Sequence, residues 1–282
     1  TAIDEATHFR DWGGNTMVEV TSIGLKRDPV AIRQVSYAVG LNIVMGTGWY
    51  QKAYHPSDMD RRTVEDLTDE IVRDITVGVG NTGIRSGIIG EVGVEGNPLT
   101  VNEIKSIRAA ARASRATGAA ISFHRGGKGR ERIEVLGVVS EEGADLTRTI
   151  MGHSDWIAGD IPLIVELLKL GVYIQFDLLG RVSAPMSFKP YPDEMVNPRD
   201  FASTALVAEA IPQLIELGYE DQILLSQDVC NKDQLKCCGG TGYSFILEKF
   251  LPRLRSIGVA ENTINKFMVE NPKRVLTFPF NL

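Results

Sequence analysis

Short apolar or β-branched runs alternate along the chain with stretches whose apolar residues recur every three to four positions. Seven of the short runs read as strands: MVEVTS from Met17, NIVMGTG from Asn42, SGIIGEVG from Ser86, AAISFH from Ala119, RTIMGH from Arg148, YIQFDL from Tyr173 and ILLSQD from Ile223. Most are apolar at successive positions, the pattern of parallel strands covered on both faces.

A helical stretch follows each run. The expected helices are Pro29 to Val39, Thr63 to Val77, Thr100 to Thr117, Arg130 to Ser140, Ile161 to Leu170, Phe201 to Leu217 and Ser244 to Leu254, with a last one from Glu261 to Glu270 that stops before Asn271-Pro272. Val64, Leu67, Ile71 and Ile75 share one helical face, as do Val101, Ile104, Ile107 and Ala111. Gly40, Gly118, Gly171 and Gly218 stand where helices should end, since glycine accepts the left-handed backbone of a C-terminal cap. The polar stretch from Arg181 to Arg199, with four prolines, reads as a loop beyond a strand end that shapes or covers a site.

Strict alternation of strand and helix implies a parallel sheet, either open and doubly wound or closed into a barrel. No G-x-G-x-x-G opens a helix after the first strand, and the glycines of GEVGVEG are too loosely placed to serve. Polar residues gather instead at the C-terminal ends of several strands, where a barrel builds its site. The expected fold is therefore a TIM (β/α)8 barrel forming one domain over residues 1–282. A barrel of this kind needs eight strands. Thr1 to Trp12 reads as a helix, so the first strand is expected to lie outside the sequence, and a seven-stranded remnant would leave two unpaired edges.

The length of 282 residues suits one such barrel, and 43% hydrophobic with 23% charged residues suits a folded core rather than disorder. A net charge of −6 with the two signs interspersed leaves no basic stripe for nucleic acid. No apolar run approaches the roughly 20 residues that span a bilayer. Three cysteines, Cys230, Cys237 and Cys238, make neither a disulfide framework nor a zinc-ribbon spacing, and they point to a reduced, cytoplasmic setting.

Four residues close strands in the same way: Glu91 after GIIG, His124 after AAISF, His153 after RTIMG and Asp228 after ILLSQ. Barrel strand ends converge on one rim, so their separation in sequence does not matter. Imidazole with carboxylate suits zinc, and also manganese or iron. A bound metal brings the pKa of water to about 7. Glu91, with two oxygens, is the candidate bridge between two metals, and Asp228 can bind one metal and accept the proton of the attacking water. Trp49 and Tyr50 follow a strand end, and Arg181 follows FDLLG, where it could meet an anionic or carbonyl group. His8 is expected to be solvated, His55 to lie on the loop surface on the site side or to line a pocket there, Asp177 to be structural, and Asp155 to be a loop carboxylate.

GTGWY, GIIGEVG, the histidines of SFH and MGH, LLSQDVC and VENPKRVL together resemble the phosphotriesterase-related proteins of the amidohydrolase superfamily, over essentially the whole chain. The resemblance implies a binuclear metal barrel, two divalent ions with zinc first among them. In it His124 and His153 hold one metal, Asp228 the other, and a hydroxide bridges them. Trp49 and Tyr50 resemble the aromatic pair that shapes the substrate pocket. Two features depart from the family pattern. No His-x-His motif for the second metal occurs in the sequence, and the usual bridging carbamylated lysine is replaced by Glu91. The glutamate places the chain nearer the phosphotriesterase homology and resiniferatoxin-binding-type proteins.

The reaction expected is metal-dependent hydrolysis of an ester, lactone, amide or phosphoester of a small molecule. The alternative is a non-catalytic ligand-binding barrel that keeps a partial metal site. Neither nucleic acid nor membrane is an expected partner; the sequence leaves the oligomeric state open, and the resemblance offers a homodimer, the form relatives often take.

Overall fold

The computed structural model describes residues 1–95, 98–125, 129–181 and 204–279. Helix α1 (Ala2–Asp11) leads, followed by β1 (Thr16–Glu19), α2 (Pro29–Val39), β2 (Asn42–Thr47), α3 (Val64–Thr76), β3 (Ile88–Val94) and α4 (Val101–Thr117). Next come β4 (Ile121–Arg125), α5 (Glu131–Glu141), β5 (Thr149–Met151), α6 (Ile161–Lys169), β6 (Tyr173–Phe176), α7 (Thr204–Glu216) and β7 (Ile223–Leu225). Three short helices close the chain: α8 (Leu251–Ser256), α9 (Glu261–Asn265) and α10 (Asn271–Leu276). The seven strands form one sheet in chain order, every neighbouring pair parallel. This is the sheet of a TIM barrel short of one strand among the described residues. The loop expected from Arg181 to Arg199 lies outside them beyond Arg181, as do the first three residues of the helix expected from Phe201.

Local chemistry sets the helix ends. Asp28 accepts the Ala31 amide and Pro29 opens α2, while Asp160 accepts the Leu163 amide at α6. Reciprocal capping boxes start α3 (Thr63 with Asp66) and α4 (Thr100 with Glu103). The four glycines expected as stops all have positive φ, from +71° at Gly40 to +95° at Gly171.

Three expectations need correction. Val101 is 78% exposed: it is the first residue of α4, and the buried residues of that helix run from Glu103 through Ile107 and Ala109–Ala111 to Thr117. The last helix does not stop at Asn271-Pro272. A π-helical turn, Lys266–Glu270, leads straight into α10, and another, Ile246–Phe250, precedes Leu251-Pro252. Proline lacks an amide and its ring crowds the carbonyl four residues back, and widening the preceding turn relieves both. Finally, β1 alternates in burial and Val18 is 45% exposed. Its only strand partner among the described residues is β2.

The main core lies between sheet and helices, with Leu67, Ile71, Ile107, Val135, Ile164, Ile211 and Phe267 packed on Ile89, Phe123, Met151 and Phe176. A smaller cluster takes Ile88 of β3, Ala120 just ahead of β4, Ile150 of β5, Tyr173 of β6 and Leu224 of β7, closed by Val275 of α10. Residues from five consecutive strands meet here, which places the cluster on the inner side of the curved sheet. Both clusters hold the strands in place, and the C-terminal strand ends carry the polar groups described next.

Candidate metal centre

Glu91 lies in β3 where the pairing register to β4 shifts, between Ile89 and Val92. The preceding Gly90 has φ +143°, and a Cβ there would stand 2.5 Å from the Ser122 carbonyl oxygen, so the close approach of β3 to β4 requires glycine. His124 is in β4, His153 follows β5 and Asp228 follows β7.

Three donor atoms meet. His124 Nδ1 is 2.8 Å from His153 Nε2 and 3.1 Å from Glu91 Oε1, and His153 Nε2 is 3.6 Å from the same oxygen. Ligands of a tetrahedral ion with bonds of about 2.1 Å lie roughly 3.4 Å apart, so this spacing and the mixed imidazole–carboxylate set fit a divalent metal such as zinc. Glu91, His124 and His153 form the one such cluster among the described residues.

Asp228 stands just outside that triangle, with Oδ2 4.0 Å from His153 Nε2. Arg181 donates from Nη2 to that same carboxylate oxygen and, at 3.0 Å, to the Asp228 carbonyl. Burial and the charge of Glu91 push the Asp228 carboxyl up to about 7, with His153 and Arg181 pulling the other way. The Cys230 thiol, 3.5 Å from Arg181 Nη2, is pushed up to about 11 by burial and by Asp228 and stays protonated.

His153 and Asp228 both have left-handed backbones, φ +49° and +42°. Non-glycine residues rarely adopt this region, and the cost of roughly 1–3 kcal/mol has to be met by neighbours. For His153 those neighbours are visible. Asp177, after β6, accepts the His153 amide with both oxygens at 3.0 Å and lies 2.6 Å from its Nδ1. The fully buried Arg132 of α5 donates to the His153 and Gly152 carbonyls, each at 3.0 Å. Asp155 accepts the Asp177 amide at 2.8 Å, and Gln175 donates to Asp177 Oδ2 at 2.9 Å. Burial works against a charged His153, but Asp177 beside it holds its pKa up at about 9, while His153 in turn holds the buried Asp177 carboxyl low. Asp155, buried and facing Asp177, is pushed up to about 7.

The aromatic pair divides. The Tyr50 hydroxyl is 3.0 Å from both ring nitrogens of His124, with the rings edge to face at 4.6 Å. Burial and the charges of Glu91 and Asp228 keep this phenol protonated. Trp49 is 1% exposed and packs in the main core with the Arg62 guanidinium 5.2 Å from its ring centre. The structure thus gathers Glu91, His124, His153, Asp228, Tyr50 and Arg181 at one place and sets Trp49 behind them.

Of the supporting groups, Asp177 was expected to be structural, and it supports His153; Asp155 was expected only as a loop carboxylate, and Arg132, in a helix, gave no signal. A cavity of about 550 Å³ on the α3 flank, lined by Arg27, Arg73 and Asp74 among others, contains none of these residues, and its Arg27 is already bound to Asp74 at 2.7 Å.

The sheet is that of a TIM barrel, and its C-terminal strand ends carry a cluster, Glu91, His124 and His153, that could hold a metal. The chain belongs to the phosphotriesterase family, whose profile matches residues 1–276, and it is a hydrolase of that family. It is 40% identical over 276 residues to the N-acetyltaurine hydrolase of Dictyostelium discoideum, covering 98% of this chain and 72% of that one. It superposes on a resiniferatoxin-binding protein of Rhodobacter sphaeroides with TM-score 0.88 and 37% identity, over 97% of this chain and 74% of the other. The phosphotriesterase homology protein of Escherichia coli, complexed with phosphate in its active site, gives TM-score 0.87 at 28% identity, over 98% and 88% of the two chains.

Proposed function

We propose that this chain hydrolyses an amide, ester, lactone or phosphoester of a small molecule with a divalent metal held by Glu91, His124 and His153. The observation that carries the reading is the meeting of those three donor atoms within 3.6 Å of one another, with Asp228 alongside. A metal at that point, zinc first, would supply Lewis acidity and a nucleophile at neutral pH.

The chain's own residues supply the rest. Asp177 keeps the proton on His153 Nδ1, which leaves Nε2 free as a ligand. Asp228, poised near neutrality, accepts the proton of the attacking water and returns it to the leaving amine or alcohol. Tyr50 bounds the substrate space over His124, and Trp49 backs it from the core. Arg181 meets the anionic or carbonyl end of the substrate from beside Asp228. A second divalent ion would share Glu91 as the bridge and take Asp228. The likeness to an N-acetyltaurine hydrolase favours, among these substrates, an amide between a short acyl group and an amine that carries a strong anion.

The reading includes a single barrel domain, a reduced cytoplasmic setting and a homodimer. All three cysteines are free, and among the described residues no helix is long and apolar enough to cross a membrane. The likeness to a resiniferatoxin-binding protein supports a second reading, a ligand-binding barrel with a partial metal site. Metal content separates the two: two ions per chain favour the enzyme, one or none the binder.

The test is the purified chain loaded with zinc or manganese and assayed on an ester, a lactone, a phosphoester and an N-acyl amine with an anionic terminus. Asp228→Asn should lower kcat by about 10²–10⁴-fold, the range for losing a general base. Unchanged turnover across the panel would sink the mechanism.

A further inference from the structure

His55 was expected on the loop surface or lining a pocket, and the structure makes it half-buried. It follows the short turn Lys52–Tyr54, and its Nε2 lies 2.8 Å from the Tyr50 carbonyl oxygen. A carbonyl can only accept, so Nε2 carries the proton. The other nitrogen, Nδ1, is buried and has no hydrogen-bond partner among the described residues. Charging this ring would add a buried donor with nothing to bind, and burial accordingly holds the imidazole pKa down. His55 is a neutral donor with a single hydrogen-bond partner, and that partner is the backbone of Tyr50.

The Tyr50 segment is fixed from a second side. Gly93 of β3 donates its amide to the Trp49 carbonyl at 3.1 Å, and a Cβ on Gly93 would stand 2.2 Å from the Gln51 nitrogen and 2.4 Å from the Tyr50 carbonyl carbon. The clamped residue then presents its hydroxyl to His124. Of the two His124 nitrogens, Nδ1 is the one turned to His153 and Glu91. The Tyr50 oxygen stands 3.0 Å from both His124 nitrogens, so it lies against the ring, in line with neither N–H, and its contact limits how the ring can turn.

We infer that His55 is a positioning residue of the metal centre: through the Tyr50 carbonyl it holds the phenol against the His124 ring and so fixes that ring's orientation at the metal. The inference rests on the reading that Glu91, His124 and His153 hold a divalent ion.

The experiment is a double-mutant cycle read as the dissociation constant for zinc, measured by chelator competition, with thermal melting to follow the fold. Tyr50→Phe, which removes that contact, should raise the constant about threefold, below the roughly 10- to 100-fold of a hydrogen-bonded outer partner. His55→Leu should raise it by a similar factor in the unmodified chain and add nothing in the Tyr50→Phe background. His55→Gln, which keeps an amide donor at the same reach, should restore most of the affinity; His55→Met replaces His55→Leu if the latter does not fold. Equal effects of the His55 change in both backgrounds, or unchanged affinity in folded His55→Leu, would overturn the inference and leave the metal site standing. Failure of the unmodified chain to bind zinc, or zinc binding that survives His124→Ala and His153→Ala together, would overturn both.

Discussion

His153 and Asp177 are joined twice: the carboxylate lies 2.6 Å from the ring Nδ1 and takes the backbone amide at 3.0 Å. One side chain thereby fixes both the ring orientation and the left-handed backbone of the same ligand. Asp177→Asn keeps the shape but loses the charge and presents an amide that can turn its NH2 toward the ring. Zinc affinity should fall 10- to 100-fold, the usual effect of removing an outer carboxylate. Chelator competition checks this, and a change below threefold would show that the pair serves folding alone.

The same pair sets a pH dependence in the metal-free chain. The folded pKa of His153, about 9, lies above its ordinary 6.5, so its contribution is full below about 6.5 and is lost as pH rises through 9. Asp155 and Asp228 are raised to about 7, and their contributions act in the same direction, being lost as pH rises from about 4 through 7. Asp177 is lowered, so its contribution is present above the ordinary carboxylate range and is lost only in acid. Metal-free protein should therefore be more stable toward urea at pH 5.5 than at pH 9.5, by on the order of a few kcal/mol. Equal midpoints at the two pH values would contradict the assignment. Added zinc should flatten the difference, because it competes with the proton at His153 Nε2.

How much of this was legible in the sequence depends on what the period of the pattern encodes. Strands and helices follow from local apolar spacing, so the seven βα units fell within a few residues of place. Glu91, His124, His153 and Asp228 were legible because a parallel barrel brings every C-terminal strand end to one rim. The Pro272 break was misjudged because a π-turn, which leaves no mark in the apolar period, lets the helix run on. Burial of Trp49 and half-burial of His55 were hidden for a related reason: both sit in the segment after β2, which passes close over Gly93 of the neighbouring strand. Arg132 was invisible, since an arginine in an amphipathic helix reads as solvated until the carbonyls it serves are known.

Arg181 shares Asp228 Oδ2 with whatever proton that carboxylate carries. Its charge lowers the Asp228 pKa, so Arg181→Met should raise that pKa above about 7. If the ionised Asp228 is the base, the acid limb of the kcat/KM–pH profile should move to higher pH by about one unit, and KM for an anionic substrate should rise. A limb that stays in place while KM rises would confine Arg181 to substrate binding. A limb that moves while KM holds would confine it to tuning Asp228.

Replacing one hydrogen of Gly93 by a methyl group should disturb the site without changing a candidate ligand. The Cβ of Gly93→Ala would fall 2.2 Å from the Gln51 nitrogen and 2.4 Å from the Tyr50 carbonyl carbon, both backbone atoms that cannot rotate away. The segment from Trp49 to Gln51 must move outward, breaking the bond from the Gly93 amide to the Trp49 carbonyl and lifting Tyr50 from His124. Overpacking of this kind costs about 1–3 kcal/mol. A compact domain of this size should lose about 2–4 °C of Tm per kcal/mol. Gly137, whose added Cβ meets nothing within 4 Å, is the control: Gly137→Ala on α5 should leave Tm unchanged or raise it, since alanine is the better helix former. Comparing the two melting curves, with zinc affinity measured on the same samples, separates a general loss of stability from displacement of Tyr50. Only the second predicts that Gly93→Ala and Tyr50→Phe weaken zinc binding by similar factors and that the combined variant is no weaker than either.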